Sequence, residues 1–143
     1  MSRSNLDNLG FLIADVSRGM RRAFQRRIEG SSLTLAQARA LVYVSRNEGI
    51  RQVDLADLLE VQPMTLARLL DQLAEAGLVE RRTNPSDRRA YQIHLTPAAT
   101  PHLAAIDQVV ATIREEAARG LTPEELDALV GGLRRMRDNL STR

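Results

Sequence analysis

The chain has 143 residues, a formal net charge of +2 and no cysteine. This length suits one compact domain, or a small domain with a dimerisation element, and it disfavours two large independent domains. The lack of cysteine excludes disulfides, thiolate nucleophiles, cysteine-ligated zinc and thiol-based redox sensing. Aromatic residues make up only 3% of the chain, so the core has to be built from aliphatic side chains, which suits packed helices.

The amino-terminal region predicts an amphipathic helix and not a membrane span. Apolar residues recur every three or four positions from Leu6 to Ile28, which places them in one stripe on a helix. Charged residues interrupt this region, and no apolar run approaches the roughly 20 residues that cross a bilayer. We expect a soluble cytoplasmic protein without a membrane partner.

Three further helices are predicted before the first strand. Thr34 and Gln37 have the spacing of a capping box and start a helix that runs to about Asn47. The segment from Arg51 to Gly77 reads as two helices separated by a tight turn at Glu60-Val61. The second of these helices has Pro63 in its first turn, Gln62 as its cap and Gly77 as its terminator.

A β-hairpin is predicted after Gly77, because the apolar residues change from helical spacing to alternation. Its strands are Leu78 to Arg82 and Ala90 to Leu95, joined by a polar tip from Thr83 to Asp87. Four arginines flank this tip: Arg81, Arg82, Arg88 and Arg89. All 20 basic residues of the chain are arginine, whose forked guanidinium suits phosphates and guanine edges.

Two long helices are predicted to close the chain. Thr96 would cap the first, with Pro97 in its first turn and Gly120 at its end. Thr122 and Glu125 form a second capping box, and the last helix has apolar residues in heptad spacing. The outer helices need a partner, since the first alone would be about 35 Å long at 1.5 Å per residue, which is long for a small monomer.

The predicted fold class is therefore mainly α with a small β-hairpin wing. A helix pair with a tight turn and a basic hairpin is the geometry that places one helix in a major groove and the hairpin beside it. Helix pairs of this spacing also occur in purely structural bundles. Periodicity therefore leaves two alternatives open, a DNA-binding protein and a helical dimeric protein-interaction module.

Four motifs follow one another between Leu55 and Thr96. They are Leu55-Ala56 before the turn, Leu73 to Val79 at the end of the next helix, Asp87 to Arg89 in the hairpin, and Leu95-Thr96. In this order they resemble the MarR family of bacterial regulators, and its SlyA-like branch in particular. The long flanking helices resemble the family's dimerisation domain in order and approximate length.

The resemblance implies a winged helix-turn-helix with an intertwined helical dimerisation domain. Residues 34–96 would form the DNA-binding lobe, and residues 1–33 with 97–143 the dimerisation region. The partners would be duplex DNA, in the form of a pseudo-palindromic operator, and a second copy of the chain. The homodimer would act as a repressor. Major-groove contacts would come from the recognition helix: Gln62, Met64, Thr65 and Arg68.

The resemblance also assigns roles within the wing. Arg88 would enter the minor groove, and Arg89 would also belong to the DNA-binding residues. Asp87 would pair with Arg89 and stiffen the hairpin. Arg81 and Arg82 would lie on neighbouring phosphates, although a merely solvated face is the alternative for both. Because the recognition helix begins Pro63-Met64, it has few polar side chains for base readout, and specificity would depend also on the wing and on DNA shape.

A small aromatic carboxylate is the ligand that the resemblance implies, bound between the dimerisation helices and the DNA-binding lobe. Arg18 and Arg39 lie on helices that would border such a crevice, and a guanidinium can hold a carboxylate through two hydrogen bonds. The alternative is that Arg18 belongs to a solvated or phosphate-facing stripe of arginines on the first helix, made of Arg18, Arg21, Arg22, Arg26 and Arg27. We expect no cofactor, no metal site and no enzyme activity, since His94 and His102 have no ligand or nucleophile beside them in sequence.

Overall fold

The computed structural model describes residues 3–141, apart from the side chains of residues 3–7, Arg88 and Arg89. Its elements in chain order are α1 (Arg3–Ile28), α2 (Leu35–Arg46), β1 (Ile50–Arg51), α3 (Gln52–Leu59), α4 (Pro63–Glu75), β2 (Val79–Asn84), β3 (Asp87–Leu95), a 3₁₀ turn (Pro97–Ala99), α5 (Thr100–Ala117) and α6 (Pro123–Ser141). The order agrees with the predicted one, with β1 added. The fold is mainly helical with a small antiparallel sheet, as the sequence predicted.

Both predicted capping boxes are present. The Gln37 backbone N–H donates to the Thr34 hydroxyl at 3.1 Å, and the Thr34 backbone N–H donates to Gln37 Oε1 at 2.9 Å. Thr122 and Glu125 repeat these two bonds, at 3.1 Å and 2.9 Å. Each box satisfies two donors that a helix start would otherwise leave without partners.

The turn before α4 and the end of α4 are fixed by backbone geometry. Glu60 has a φ of 56°, a left-handed conformation that ends α3 and reverses the chain. Gln62 occupies the cap position of α4 as predicted, although its side chain makes no capping hydrogen bond. Gly77 has a φ of 78°, and the Leu78 N–H donates to the Leu73 carbonyl at 2.9 Å, which closes α4 as expected.

Thr96 precedes the 3₁₀ turn and not α5, whose cap position is Ala99, so the prediction that Thr96 caps the long helix was wrong. Its side chain makes no capping bond, and its hydroxyl donates to the Gly77 carbonyl. Its backbone N–H donates to the Leu78 carbonyl at 3.0 Å, so Thr96 joins the end of β3 to the start of β2. A short 3₁₀ turn follows, and α5 begins at Thr100.

The sheet has three strands in the order β1-β3-β2, and both pairs are antiparallel. The predicted hairpin had only two strands, because the two-residue strand β1 is too short to show alternation. The hairpin is also longer than predicted: Asn84 pairs with Asp87, so only Pro85 and Ser86 connect the strands. Asn84 Oδ1 accepts the Ser86 backbone N–H at 3.0 Å and holds this turn.

Two apolar clusters form the interior. The larger joins α2, α3, α4 and the sheet, and its most deeply buried large side chains are Leu41, Val44, Leu55, Leu66, Leu70, Leu73 and Ile93. The smaller joins α1, α2 and α5 through Ala23, Phe24, Ala38, Ile106 and Ile113. Within residues 3–141, no helix is both long and apolar enough to span a membrane.

Candidate nucleic-acid interface and ligand cleft

The first turns of α4 present an exposed surface. Leu66 and Leu70 are fully buried and fasten the helix to the larger cluster. The opposite face and the start of the helix carry the four residues expected to contact bases, and all four are exposed: Gln62, Met64, Thr65 and Arg68. Met64 is 74% exposed, the highest value for a large apolar side chain on α4. The structure thus brings these four residues together.

This surface offers the chemistry of base and phosphate recognition. The Gln62 amide and the Thr65 hydroxyl can each donate and accept hydrogen bonds, and Arg68 adds a charged fork of donors. Met64 offers apolar contact of the kind that a thymine methyl requires. An exposed apolar side chain beside polar ones is therefore suited to a groove surface.

Arg81 does not point to solvent in the way a phosphate contact would require. Its side chain is 24% exposed, and Nη2 donates to Asp71 Oδ1 at 2.7 Å and to the Ala67 carbonyl at 3.1 Å. Its Nε donates to Gln52 Oε1 at 3.3 Å. These bonds favour a positioning role for Arg81 over the phosphate contact that the resemblance implied.

Arg82 lies on the outer face of the hairpin. Its side chain is 56% exposed and forms an ion pair with Glu80, two residues earlier on the same strand. An exposed pair of this kind contributes little to stability, and the guanidinium keeps access to solvent. Arg88 and Arg89 lie at the start of β3, directly after the turn, but their side chains are outside the described residues.

Asp87 lies close to Arg51, which the sequence analysis had not singled out. Arg51 Nε donates to Asp54 Oδ2 at 2.9 Å, and its Nη2 donates to Oδ1 at 3.2 Å. The pKa of Arg51 is raised by the hydrogen bond that it donates to Asp54, by the charge of Asp54 and also by the charge of Asp87. The predicted pairing of Asp87 with Arg89 stays a prediction. The Arg-x-x-Asp spacing was the signal that could have identified Arg51.

A cleft of about 390 Å³ opens between α1, α2 and α5. Its walls are mostly apolar, and the side chains that line it include Met20, Phe24, Leu35, Val42, Tyr43, Ile106, Val110 and Ile113. Arg39 also lines the cleft, with its guanidinium carbon 5.9 Å from the centre of the Tyr43 ring. The cleft therefore combines an apolar interior with a positively charged edge.

The two arginines expected at this cleft do not both reach it. Arg39 lines it, whereas Arg18 is exposed, forms an ion pair with Asp15 and is not among the lining residues. Arg21 and Arg114 take part in the lining instead. The sequence analysis placed Arg21 in a solvated stripe, because one helix in isolation does not show which arginine faces a neighbouring helix.

Two helices leave large apolar side chains without cover in the single chain. On α1 they are Leu9, Phe11, Leu12, Ile13, Val16 and Met20, and on α6 they are Leu129, Val130, Leu133 and Leu140. No residue of α6 is buried. Phe11 is 71% exposed and Leu140 is 84% exposed, so these faces stand out from the ordinary scatter of surface apolar residues.

The described residues hold no cluster of three or more histidine or acidic side chains suited to a metal ion. The half-buried His94 has Nδ1 3.5 Å from Glu48 Oε1, and that same oxygen accepts the Leu95 backbone N–H at 2.7 Å. Glu48 thus fastens the loop after α2 to β3. The contacts of His94 are those of a structural residue.

Comparisons with known proteins agree with this geometry. A model of the MarR family matches residues 33–91. The chain is 36% identical to the transcriptional regulator PA3341, with a TM-score of 0.80 over 94% of this chain and 98% of that one. It is 29% identical to wild-type MarR from E. coli in its apo form, with a TM-score of 0.78 over 90% of this chain and 95% of that one.

A further solved structure contains DNA. The chain is 28% identical to a mutant MarR from E. coli complexed with operator DNA, with a TM-score of 0.74 over 92% of this chain and 95% of that one. In each comparison the likeness extends over nearly the whole chain, so it includes the outer helices as well as the winged lobe.

Proposed function

This chain belongs to the MarR family, a family of DNA-binding transcription regulators and not of enzymes, and we propose that it is a homodimeric repressor released from a pseudo-palindromic operator by a small aromatic acid. The exposed first turns of α4, held from behind by buried leucines, carry this proposal. Residues 34–96 form the DNA-binding lobe, and residues 1–33 with 97–143 form the dimerisation region. The motifs between Leu55 and Thr96 are those of the SlyA-like branch.

Recognition of DNA divides between α4 and the wing. Gln62, Met64, Thr65 and Arg68 face the major groove, where side chains can distinguish the base pairs. Arg88 enters the adjacent minor groove, whose negative potential is strongest where A·T pairs narrow it. Arg82 and Arg89 lie on phosphates, which fix the register without reading sequence.

Dimerisation covers the apolar faces of α1 and α6. A helix gains most of its stability from packing of its apolar face, and α6 has no buried residue within its own chain. Intertwining with a second copy would bury both faces at once. A two-fold dimer presents two α4 helices, so the operator has two inverted half-sites about one helical turn apart.

The cleft between α1, α2 and α5 is the site for the effector. An aromatic ring fits its apolar walls, and the carboxylate pairs with Arg39 at the edge. Arg18 has no part in this site, because it forms an ion pair with Asp15 and does not line the cleft. Binding there releases DNA because the cleft lies between α2 of the lobe and the outer helices α1 and α5.

Selection of bound duplexes from a random pool, at near-physiological salt, tests DNA recognition. We expect enrichment of an inverted repeat, and affinity for it that falls steeply with salt, because each neutralised phosphate releases a counterion. Arg68→Ala should lower the affinity, whereas Arg119→Ala, which removes the same charge from the turn after α5, should not. No enriched repeat, together with a stable dimer in solution, would favour the protein-interaction module.

A further inference from the structure

Arg81 stands at a position of β2 that alternation directs into the protein. Val79 is buried, and Arg81, two residues later on the same face of the strand, pairs in register with the fully buried Ile93. A charged group on such a face is stable only with partners of its own. The three hydrogen bonds to Asp71, Ala67 and Gln52 supply them.

These bonds join three elements through one planar group. Ala67 and Asp71 are four residues apart and therefore neighbours on one face of α4, while Gln52 is the first residue of α3. The guanidinium holds its donors in a fixed fork, so bonds to all three partners define one orientation of β2 against α4. Hydrophobic contacts, which have no direction, would define that orientation less well.

We propose that Arg81 is a positioning residue that holds the wing at a fixed angle to the recognition helix α4, with Asp71 as its principal partner. The inference rests on the proposed function, in which α4 and the wing enter neighbouring grooves of one duplex. The contacts of α4 and of the wing increase affinity together only when their spacing matches that of the two grooves. A wing that moves relative to α4 loses this increase in affinity. Arg81 therefore raises DNA affinity without touching DNA.

Arg82 provides the matched comparison. It follows directly in the chain, so it points to the opposite face of the strand, and its ion pair with Glu80 stays within β2. Its exposed fraction is 56%, against 24% for Arg81. Two consecutive residues thus carry the same charge, but only Arg81 is hydrogen-bonded to α4, while Arg82 pairs within β2.

The test measures operator affinity and its salt dependence for Arg81→Ala, Asp71→Ala, the double variant and Arg82→Ala. We expect either single change at Arg81 or Asp71 to weaken binding by about tenfold, with the salt slope unchanged and the double variant no weaker than Arg81→Ala. Arg82→Ala should lower the salt slope by about one. A salt slope that falls by about one in Arg81→Ala, with Asp71→Ala binding as tightly as the native protein, would identify Arg81 as a phosphate contact and overturn the proposal.

A second measurement tests the tether without DNA. The chain has no native cysteine, so spin labels can be attached at Ser86→Cys on the wing tip and Glu75→Cys on α4, with labelled protein diluted into unlabelled protein. We expect the distance distribution to broaden on Arg81→Ala and on Asp71→Ala, but not on Arg82→Ala. An unchanged distribution would overturn the proposal. Failure of the native protein to bind any duplex would instead refute the proposed function and leave this result interpretable.

Discussion

The side-chain amide of Gln37 donates a hydrogen bond of 3.2 Å to Gln72 Oε1, and so joins the start of α2 to the carboxyl-terminal half of α4. The other end of the same amide, Gln37 Oε1, accepts the Thr34 backbone N–H in the capping box. One residue therefore both starts α2, which lines the cleft, and ties it to the proposed recognition helix. The amino-terminal end of the helix that lines the cleft is thus hydrogen-bonded to α4.

The two ends of this bond differ in what their removal costs. Gln37→Ala should lower the free energy of unfolding by about 1 to 1.5 kcal/mol, because it removes half of the capping box and the bond between the helices. Gln72→Ala should cost only about 0.5 kcal/mol, since the exposed bond is lost alone. Urea denaturation of both variants and of the double variant checks this. Equal costs for the two single changes would contradict it.

The larger apolar cluster should be sensitive to truncation at α4. Leu70 is fully buried, so Leu70→Ala removes contacts on all sides and should cost about 2 to 5 kcal/mol. Leu58, which is 44% exposed on α3, is the control, and Leu58→Ala should cost less than about 1 kcal/mol. Denaturant midpoints at constant protein concentration measure both, and a loss at Leu58 as large as that at Leu70 would argue against this core.

The proposed effector site predicts different roles for Arg39 and Arg18, which the sequence alone had placed together at the cleft. With salicylate as the probe, Arg39→Ala should weaken effector-driven release from the operator by about tenfold, because a charge-assisted pair with the carboxylate is lost. Arg18→Ala should respond as the native protein does, since Arg18 does not line the cleft. Release curves at fixed operator concentration decide between them, and loss of response in Arg18→Ala would place the effector elsewhere.

Dimerisation through α6 predicts that one charge on its apolar face dissociates the protein. Leu133 lies on this face and is 41% exposed in the single chain. Leu133→Glu should shift the dissociation constant of the dimer by at least about a hundredfold, because a carboxylate would be buried without a partner. Arg135→Glu is the control, since residue 135 lies about 200° further round the helix. Sedimentation equilibrium measures both, and a Leu133→Glu protein that stays dimeric would exclude this face.

The raised pKa of Arg51 predicts that its contribution to the free energy of unfolding does not change with pH near neutrality. Because this pKa is raised in the folded state, the stabilisation is fully present below the ordinary arginine value and is lost only as the pH rises through the raised one. The difference in unfolding free energy between the native protein and Arg51→Gln should therefore be constant between about pH 6 and about pH 9. Denaturation at several pH values measures it, and a difference that changes across this range would contradict the assignment.

The sequence predicted features that local chemistry fixes. Both capping boxes and the glycine that ends α4 were identified because their hydrogen bonds involve residues a few positions apart. Strand β1 was missed because a two-residue strand is defined by its partner, through Ile50 opposite Ile93, and not by any pattern of its own. Thr96 was assigned as the cap of the long helix because its own partner is not visible in the local sequence. Its hydroxyl donates to the carbonyl of Gly77 on the neighbouring segment.

In the candidate site, too, some features could be expected from the sequence and others depend on how distant elements pack. The exposed residues of α4 were expected from the family resemblance, and helical spacing around the buried leucines accounts for their exposure. In the sequence Arg81 and Arg82 are two equivalent charges of an arginine-rich segment. Their different partners become visible only when β2 is packed against α4. Arg21 and Arg18 are likewise distinguished only by the way α1 lies against α2 and α5.

Strand β3 has two partners at one end and a single partner at the other. Strand β1 pairs with Gln92 and Ile93 of β3, whereas the strand pairing of the stretch from Asp87 to Tyr91 is with β2. Backbone amides near Ile93 should therefore exchange their hydrogens slowly, while those towards Asp87 should exchange faster as the outer ribbon opens by itself. In the proposed complex the wing would therefore be stiff where it meets the body and compliant at its tip, so the tip could follow grooves of different width while the base keeps its place.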